Sequence, residues 1–160
     1  MLERRARHRE AADRMSIHKR EGNRPDRRIA DQATVDEATR ERLLATLQYV
    51  GSGIHKLHPG NYGFRPPQNP RPSKSPCDAV RSVLLEEATA LFRHGIELGM
   101  VSMIIKDGVP KYVWSVDEFG EVYEAKTRPE RETEYHGYRI GLNEPKMRDY
   151  VLKEWKQRCQ

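Results

Sequence analysis

At 160 residues, with 36% hydrophobic and 33% charged side chains and a formal charge of +5, the chain has room for one ordinary domain, or a smaller core plus a tail. A mean hydropathy of -0.89 favours the second arrangement. No apolar run approaches the roughly 18 residues of a membrane span, no apolar signal region opens the chain, and two cysteines make neither a disulfide framework nor a zinc site. A soluble cytoplasmic protein with no membrane partner is the expectation.

Residues 1–36 carry few large apolar side chains, namely Leu2, Met15, Ile17, Ile29 and Val35. Helix is compatible with Glu3–Lys19, but Gly22, Asn23 and Pro25 interrupt any continuation. Residues 1–28 hold ten Lys/Arg against five acids, so the excess charge belongs to this segment. It reads as a mobile, basic arm, with Arg4, Arg5, Arg7 and Arg9 as candidate nucleic-acid contacts.

Residues 37–160 read as a single α+β domain. Asp36 can cap a helix to about Val50, with Leu43, Leu44, Leu47 and Val50 on one side. Six prolines and four glycines between residues 51 and 76 forbid a long regular element there. A second helix is expected from Ser75 or Asp78 to Leu98, burying Val80, Leu84, Ala88, Leu91 and Phe92 and ending at Gly99. The period then changes to two. Strands are expected at Met100–Lys106, Pro110–Val116, Glu121–Lys126 and Tyr135–Ile140, with turns at Asp107-Gly108 and Asp117–Gly120 and a charged, turn-like Thr127–Thr133. Asn143 and Pro145 open a last helix to about Arg158 that buries Met147, Tyr150, Val151 and Trp155. This order predicts helices followed by a small antiparallel sheet and a C-terminal helix.

The most informative stretch is Arg42 to Cys77, which contains no Asp or Glu in a chain rich in both. Its cations are Arg42, Lys56, Arg65, Arg71 and Lys74, and it holds the pair His55 and His58. A proline-stiffened loop with cations, imidazoles and no carboxylate favours a phosphate-bearing ligand. In Gly51–Gly60 the glycines let backbone amides approach an anion, Lys56 adds charge, and either histidine can exchange a proton near neutral pH. Arg65, Arg71 and Lys74 are the loop's candidate phosphate contacts. A second cluster is Tyr135-His136-Gly137-Tyr138. Alternation puts Tyr135 and Gly137 on one face and His136 and Tyr138 on the other, and the glycine leaves room for a ligand beside His136. Tyr112, Trp114 and Tyr123 suit a sheet core better than a base-stacking platform, and Glu124 reads as a solvated strand residue.

The string Tyr49-Val50-Gly51-Ser52, His55-Lys56, Pro59-Gly60, Pro110-Lys111, Trp114, Val116-Asp117, Gly120, Tyr123-Glu124-Ala125 and Tyr135-His136-Gly137-Tyr138 resembles an uncharacterised small bacterial protein family, over about Leu43 to Trp155. The hairpin and its preceding helix are faintly similar to the sheet of barnase- and colicin-type ribonuclease toxins, which implies metal-free RNA chemistry on an α+β scaffold. None of the toxins' catalytic motifs is matched residue by residue. Ser75–Lys126 also resembles the last helix and wing of a winged-helix domain. The acids Asp78, Glu86, Glu87 and Glu97 suit insertion among phosphates poorly.

These features converge on a small nucleic-acid-directed protein, RNA favoured, whose enzymatic form is a metal-independent RNase needing no cofactor. In that form His55, His58, His136 and Tyr135 supply the proton-transfer groups and Lys56, helped by Arg65, stabilises the charged phosphorane. The alternative is a non-enzymatic interaction protein of a phage or mobile element that docks on nucleic acid or an acidic protein partner.

Overall fold

The computed structural model describes residues 26–51, 83–105 and 108–159. The candidates Arg4, Arg5, Arg7, Arg9, His55, Lys56, His58, Arg65, Arg71 and Lys74 lie outside the described residues.

Helix α1 (Glu37–Thr46) starts where expected, with the Asp36 carboxylate accepting from the Thr39 amide at 2.8 Å. It stops earlier than its apolar period suggests. Leu47 turns extended, and β1 (Gln48–Tyr49) pairs in parallel with Glu134 and Tyr135. Helix α2 (Leu85–Glu97) buries Ala88, Phe92, Gly95 and Ile96 and ends at Gly99, which takes φ +67°. Leu84, expected on the buried face, is extended and 57% exposed, because the helix begins only after it.

Strands β2 (Tyr112–Val116), β3 (Val122–Arg128) and β4 (Arg131–Ile140) form an antiparallel meander, and the sheet order is β1-β4-β3-β2. Parallel β1 makes the sheet mixed rather than wholly antiparallel. The charged Thr127–Thr133 stretch is largely strand, with a tight connection at residues 129–130. Conversely, the strand expected over Met100–Lys106 contracts to bridges at Val101 and Ser102, paired with Val113 and Ile29. That register sets Ile104 opposite Pro110, which has no amide to donate, so the ladder stops there. Helix α3 (Pro145–Arg158) closes the chain, burying Met147 and Val151 and leaving Tyr150 and Trp155 half-buried. The class is α+β.

Strand alternation divides the core. On one face Val113, Ala125 and Tyr135 pack with Leu43, Leu47, Phe92 and Ile96 from α1 and α2. On the other, Tyr112, Trp114, Val116, Val122 and Ile140 pack with Met147 and Val151 of α3 and with Ile29 and Met100. The body therefore starts before residue 37. Arg27, Ile29 and Val35 are all buried, and the Ala30 amide donates to Val101 O at 2.8 Å. Of the segment's few large apolar groups, Ile29 and Val35 lie among the described residues and each is placed in a cluster, which composition alone does not reveal.

Candidate nucleic-acid interface

The register aligns Tyr112, Lys126 and His136 in one row across β2, β3 and β4. They share the face that carries Trp114, Glu124 and Tyr138, one step from those residues along each strand. Lys126 and His136 are half-buried. Tyr112 is buried, its ring stacked 5.7 Å from that of Trp114, with Lys111 Nζ 5.6 Å from its centroid.

Both basic segments outlined by the sequence join the body at the ends of this row. At the β2 end, Lys111 Nζ pairs with Asp26 at 2.6 Å, where residues 1–25 meet the body. At the β4 end, the amides of Val50 and Gly51 both donate to Tyr135 O, at 2.8 and 3.2 Å. Arg128 Nη2 donates to Gly51 O at 2.5 Å, and Gly51 itself takes φ +70°, a conformation that favours glycine. Arg128 reaches this position through a register shift between Thr127 and Arg128, and its Nε is buried without a hydrogen bond. Sequence reasoning passed over Arg128, because it lies in a stretch that reads as a turn.

Tyr135 does not belong with His136. It is fully buried on the opposite face, its ring 5.0 Å from that of Phe92, and its hydroxyl donates to the Pro110 carbonyl. Burial pushes its phenol well above the usual range, with Glu132 adding to the shift. An enclosed, strongly protonated phenol engaged with a carbonyl is a structural group, and the catalytic expectation for it is withdrawn. Gly137 is also accounted for without a ligand. A Cβ there would lie 2.9 Å from the Tyr49 hydroxyl, which accepts the Gly137 amide at 3.1 Å. The cavity beside it is about 20 Å³, room for one water.

Glu124, expected in solvent, is completely buried at the centre of the sheet. Its Oε2 accepts from Arg27 Nε at 2.6 Å and Trp114 Nε1 at 2.8 Å, and its Oε1 accepts from the Tyr138 hydroxyl. Arg27 Nη2 also pairs with Glu144 at 2.7 Å. Burial pushes the Glu124 carboxyl up, while Arg27 and Trp114 pull it back. With three donors around it, this carboxylate is occupied as an anchor. It fixes Arg27, and hence the point where the basic segment joins the sheet.

The winged-helix likeness does not extend to the packing. Helix α2 lays its buried face on β2, and the β2–β3 hairpin is extended into a sheet by β4 rather than standing free as a wing. Among the described residues, no helix is long and apolar enough to cross a membrane. No known protein-family model matches the chain, and neither the curated proteins nor the solved structures contain a match to it.

Proposed function

We propose that the protein binds nucleic acid, RNA in preference, at the Tyr112–Lys126–His136 end of its sheet. One observation carries this reading. The basic N-terminal segment and the acid-free loop are rooted at opposite ends of one row, the first through Asp26 and Lys111, the second through Gly51, Tyr135 and Arg128. The segment that carries Arg4, Arg5, Arg7 and Arg9 and the segment that carries Lys56, Arg65, Arg71 and Lys74 continue from those two points, and the described residues between them bring together a half-buried lysine, an arginine and an imidazole. Such a cluster suits a phosphate backbone, because fixed cations displace its condensed counterions.

The same arrangement supports metal-independent cleavage as the reaction class. His136 is the proton-transfer group on the sheet. His55 is the fourth residue after Gly51, and four residues span at most about 14 Å, so covalent reach permits the two imidazoles to face one phosphate. One would take the 2′-hydroxyl proton while the other protonates the leaving oxygen, and Lys56 would neutralise the phosphorane.

Anisotropy of a labelled single-stranded RNA, read at two ionic strengths, tests binding. Affinity is expected to fall steeply with salt and to weaken in Lys126→Ala. A flat salt response refutes the reading and points to a protein partner recognised through apolar contacts. Cleavage is tested separately in EDTA. His136→Ala should abolish it while RNA affinity stays within about tenfold, or roughly 1.4 kcal/mol. Wild-type protein that binds but never cleaves removes the reaction and leaves the binding.

A further inference from the structure

The residues that follow Ser102 form an unfinished sheet edge. Ser102 is bridged to Ile29 on one side, and its amide donates to Tyr112 O at 3.0 Å on the other. One residue further, both partners are lost. The chain before Ile29 turns inward so that Arg27 can reach Glu124, and Pro110 has no amide to offer Ile104. Among the described residues no hydrogen bond reaches the backbone of Met103 or Ile104. Met103 and Ile105 project from the edge 70% and 72% exposed, while Ile104 between them packs against the core with Val109. This is the period-two pattern of a strand with one apolar face uncovered. The three residues include none of the charges or prolines that ordinarily blunt an exposed edge.

The edge lines a cleft of about 1000 Å³ whose opposite wall is formed by Ile29, Ala30 and Val35. Its charged lining is Arg28 and Lys111 on one side of the balance and Asp26, Asp31 and Glu132 on the other. A surface with both signs matches its own copy under a two-fold axis, since each cation can meet an acid of the second chain. It offers no surplus to select a wholly acidic or wholly basic partner.

We infer that Met103–Ile105 is a strand-addition edge that pairs with the same segment of a second copy of this chain. Antiparallel pairing about Ile104 satisfies the bare amide and carbonyl of Met103 in both chains, which face the open side as Val101 O faces Ala30, whereas the Ile104 groups face Pro110. It also sets Met103 of each chain against Ile105 of the other, removing four apolar side chains from water. Met103, Ile104 and Ile105 are not part of the row assigned to phosphate, although the cleft they line is shared with Asp26 and Lys111 at the β2 end of that row.

Sedimentation velocity of the full chain tests it, with hydrogen exchange at the same concentrations. The expected species has twice the 18.6 kDa chain mass, and the Met103 amide is protected, losing protection on dilution, while the Ile104 amide is not. Ile105→Lys and Met103→Lys should each give a monomer that melts as the diluted wild type does, because both side chains are exposed in the single chain and only the dimer's contribution is lost. Either of two results overturns the inference: a wild-type monomer, or a dimer that survives both substitutions. Protection at Met103 that does not change on dilution also overturns it, since the edge would then be covered within its own chain.

Discussion

Arg27→Met should be among the most damaging single changes outside the apolar core. Methionine keeps much of the arginine's volume and removes its charge, so Glu124 must either stay ionised with no cation or take up a proton at the centre of the sheet, and both cost stability at neutral pH. Breaking a buried pair by deleting one partner costs about 3–5 kcal/mol. Glu124 keeps the Trp114 and Tyr138 donors, so the lower end, about 3 kcal/mol, is expected. With a urea slope of about 2 kcal/mol per molar, the unfolding midpoint moves down by about 1.5 M. Glu144→Gln is the control. That side chain is 25% exposed and Arg27 retains Glu124, so the loss should be no more than about 1 kcal/mol. The double change Arg27→Met with Glu124→Gln should recover part of the single loss, because the stranded charge is gone. The pH dependence has a definite sign. The folded-state pKa of Glu124 is raised by burial, so its contribution is fully present below the unfolded carboxylate value and is lost as pH rises through the folded value. Without Arg27 the folded value rises further, so Arg27→Met should lose more stability than wild type as pH climbs above the ordinary carboxylate range. A midpoint for Arg27→Met within about 1 kcal/mol of wild type at neutral pH would refute the anchoring role.

Gly95→Ala should destabilise although alanine is the better helix former by about 1 kcal/mol. The added Cβ would lie 2.3 Å from the Trp114 carbonyl oxygen, forcing α2 off β2 at an overpacking cost of about 1–3 kcal/mol or more, visible as a lowered Tm. Phe92→Ala should cost about 3–5 kcal/mol by chemical denaturation, whereas exposed Leu84→Ala should stay within about 0.5 kcal/mol; equal effects would mean that α2 presents a different face. Asp36 caps α1 through Thr39, which lowers its pKa, so its stabilisation is present above the unfolded carboxylate value and lost as pH falls through the folded one. Asp36→Asn should flatten that acid limb in a pH series of melting curves, and an unchanged limb would show that the cap carries no charge-dependent part.

Periodicity made most of the fold legible where one side of an element faces the core. The α2 stripe at Ala88 and Phe92, the hairpin around Asp117–Gly120 and the α3 start at Pro145 all follow from local pattern, because local sterics and one buried face decide them. Boundaries failed where a distant partner decides instead. Gln48 and Tyr49 leave the helical pattern of α1 because β4 offers them a parallel ladder nearly ninety residues later. Met103 and Ile105 alternate as a strand should, yet they lack a ladder because Pro110 cannot donate opposite Ile104.

The candidate site was legible by charge and opaque by depth. The acid-free loop is visible as a gap in composition, and of its glycine-rich part Gly51, the described residue, donates its amide to Tyr135 O of β4. Tyr135 and Glu124 were misjudged for one shared reason. A strand's alternation tells which residues share a face, but not which faces are covered, and this sheet is covered on both. An aromatic phenol next to a histidine therefore becomes core, and a glutamate between Tyr123 and Ala125 becomes a buried anchor rather than a solvated one. The compensating cation, Arg27, sits in a segment whose ten basic residues look interchangeable from composition. Only burial distinguishes it from its neighbour Arg28: Arg27 answers a carboxylate inside the sheet, whereas Arg28 lines an open cleft. The basic segment thus divides at this point into a structural root and a cationic remainder. That division is why substitutions at Arg27 should register in stability, whereas those at Arg4 to Arg9 should register in the salt dependence of binding.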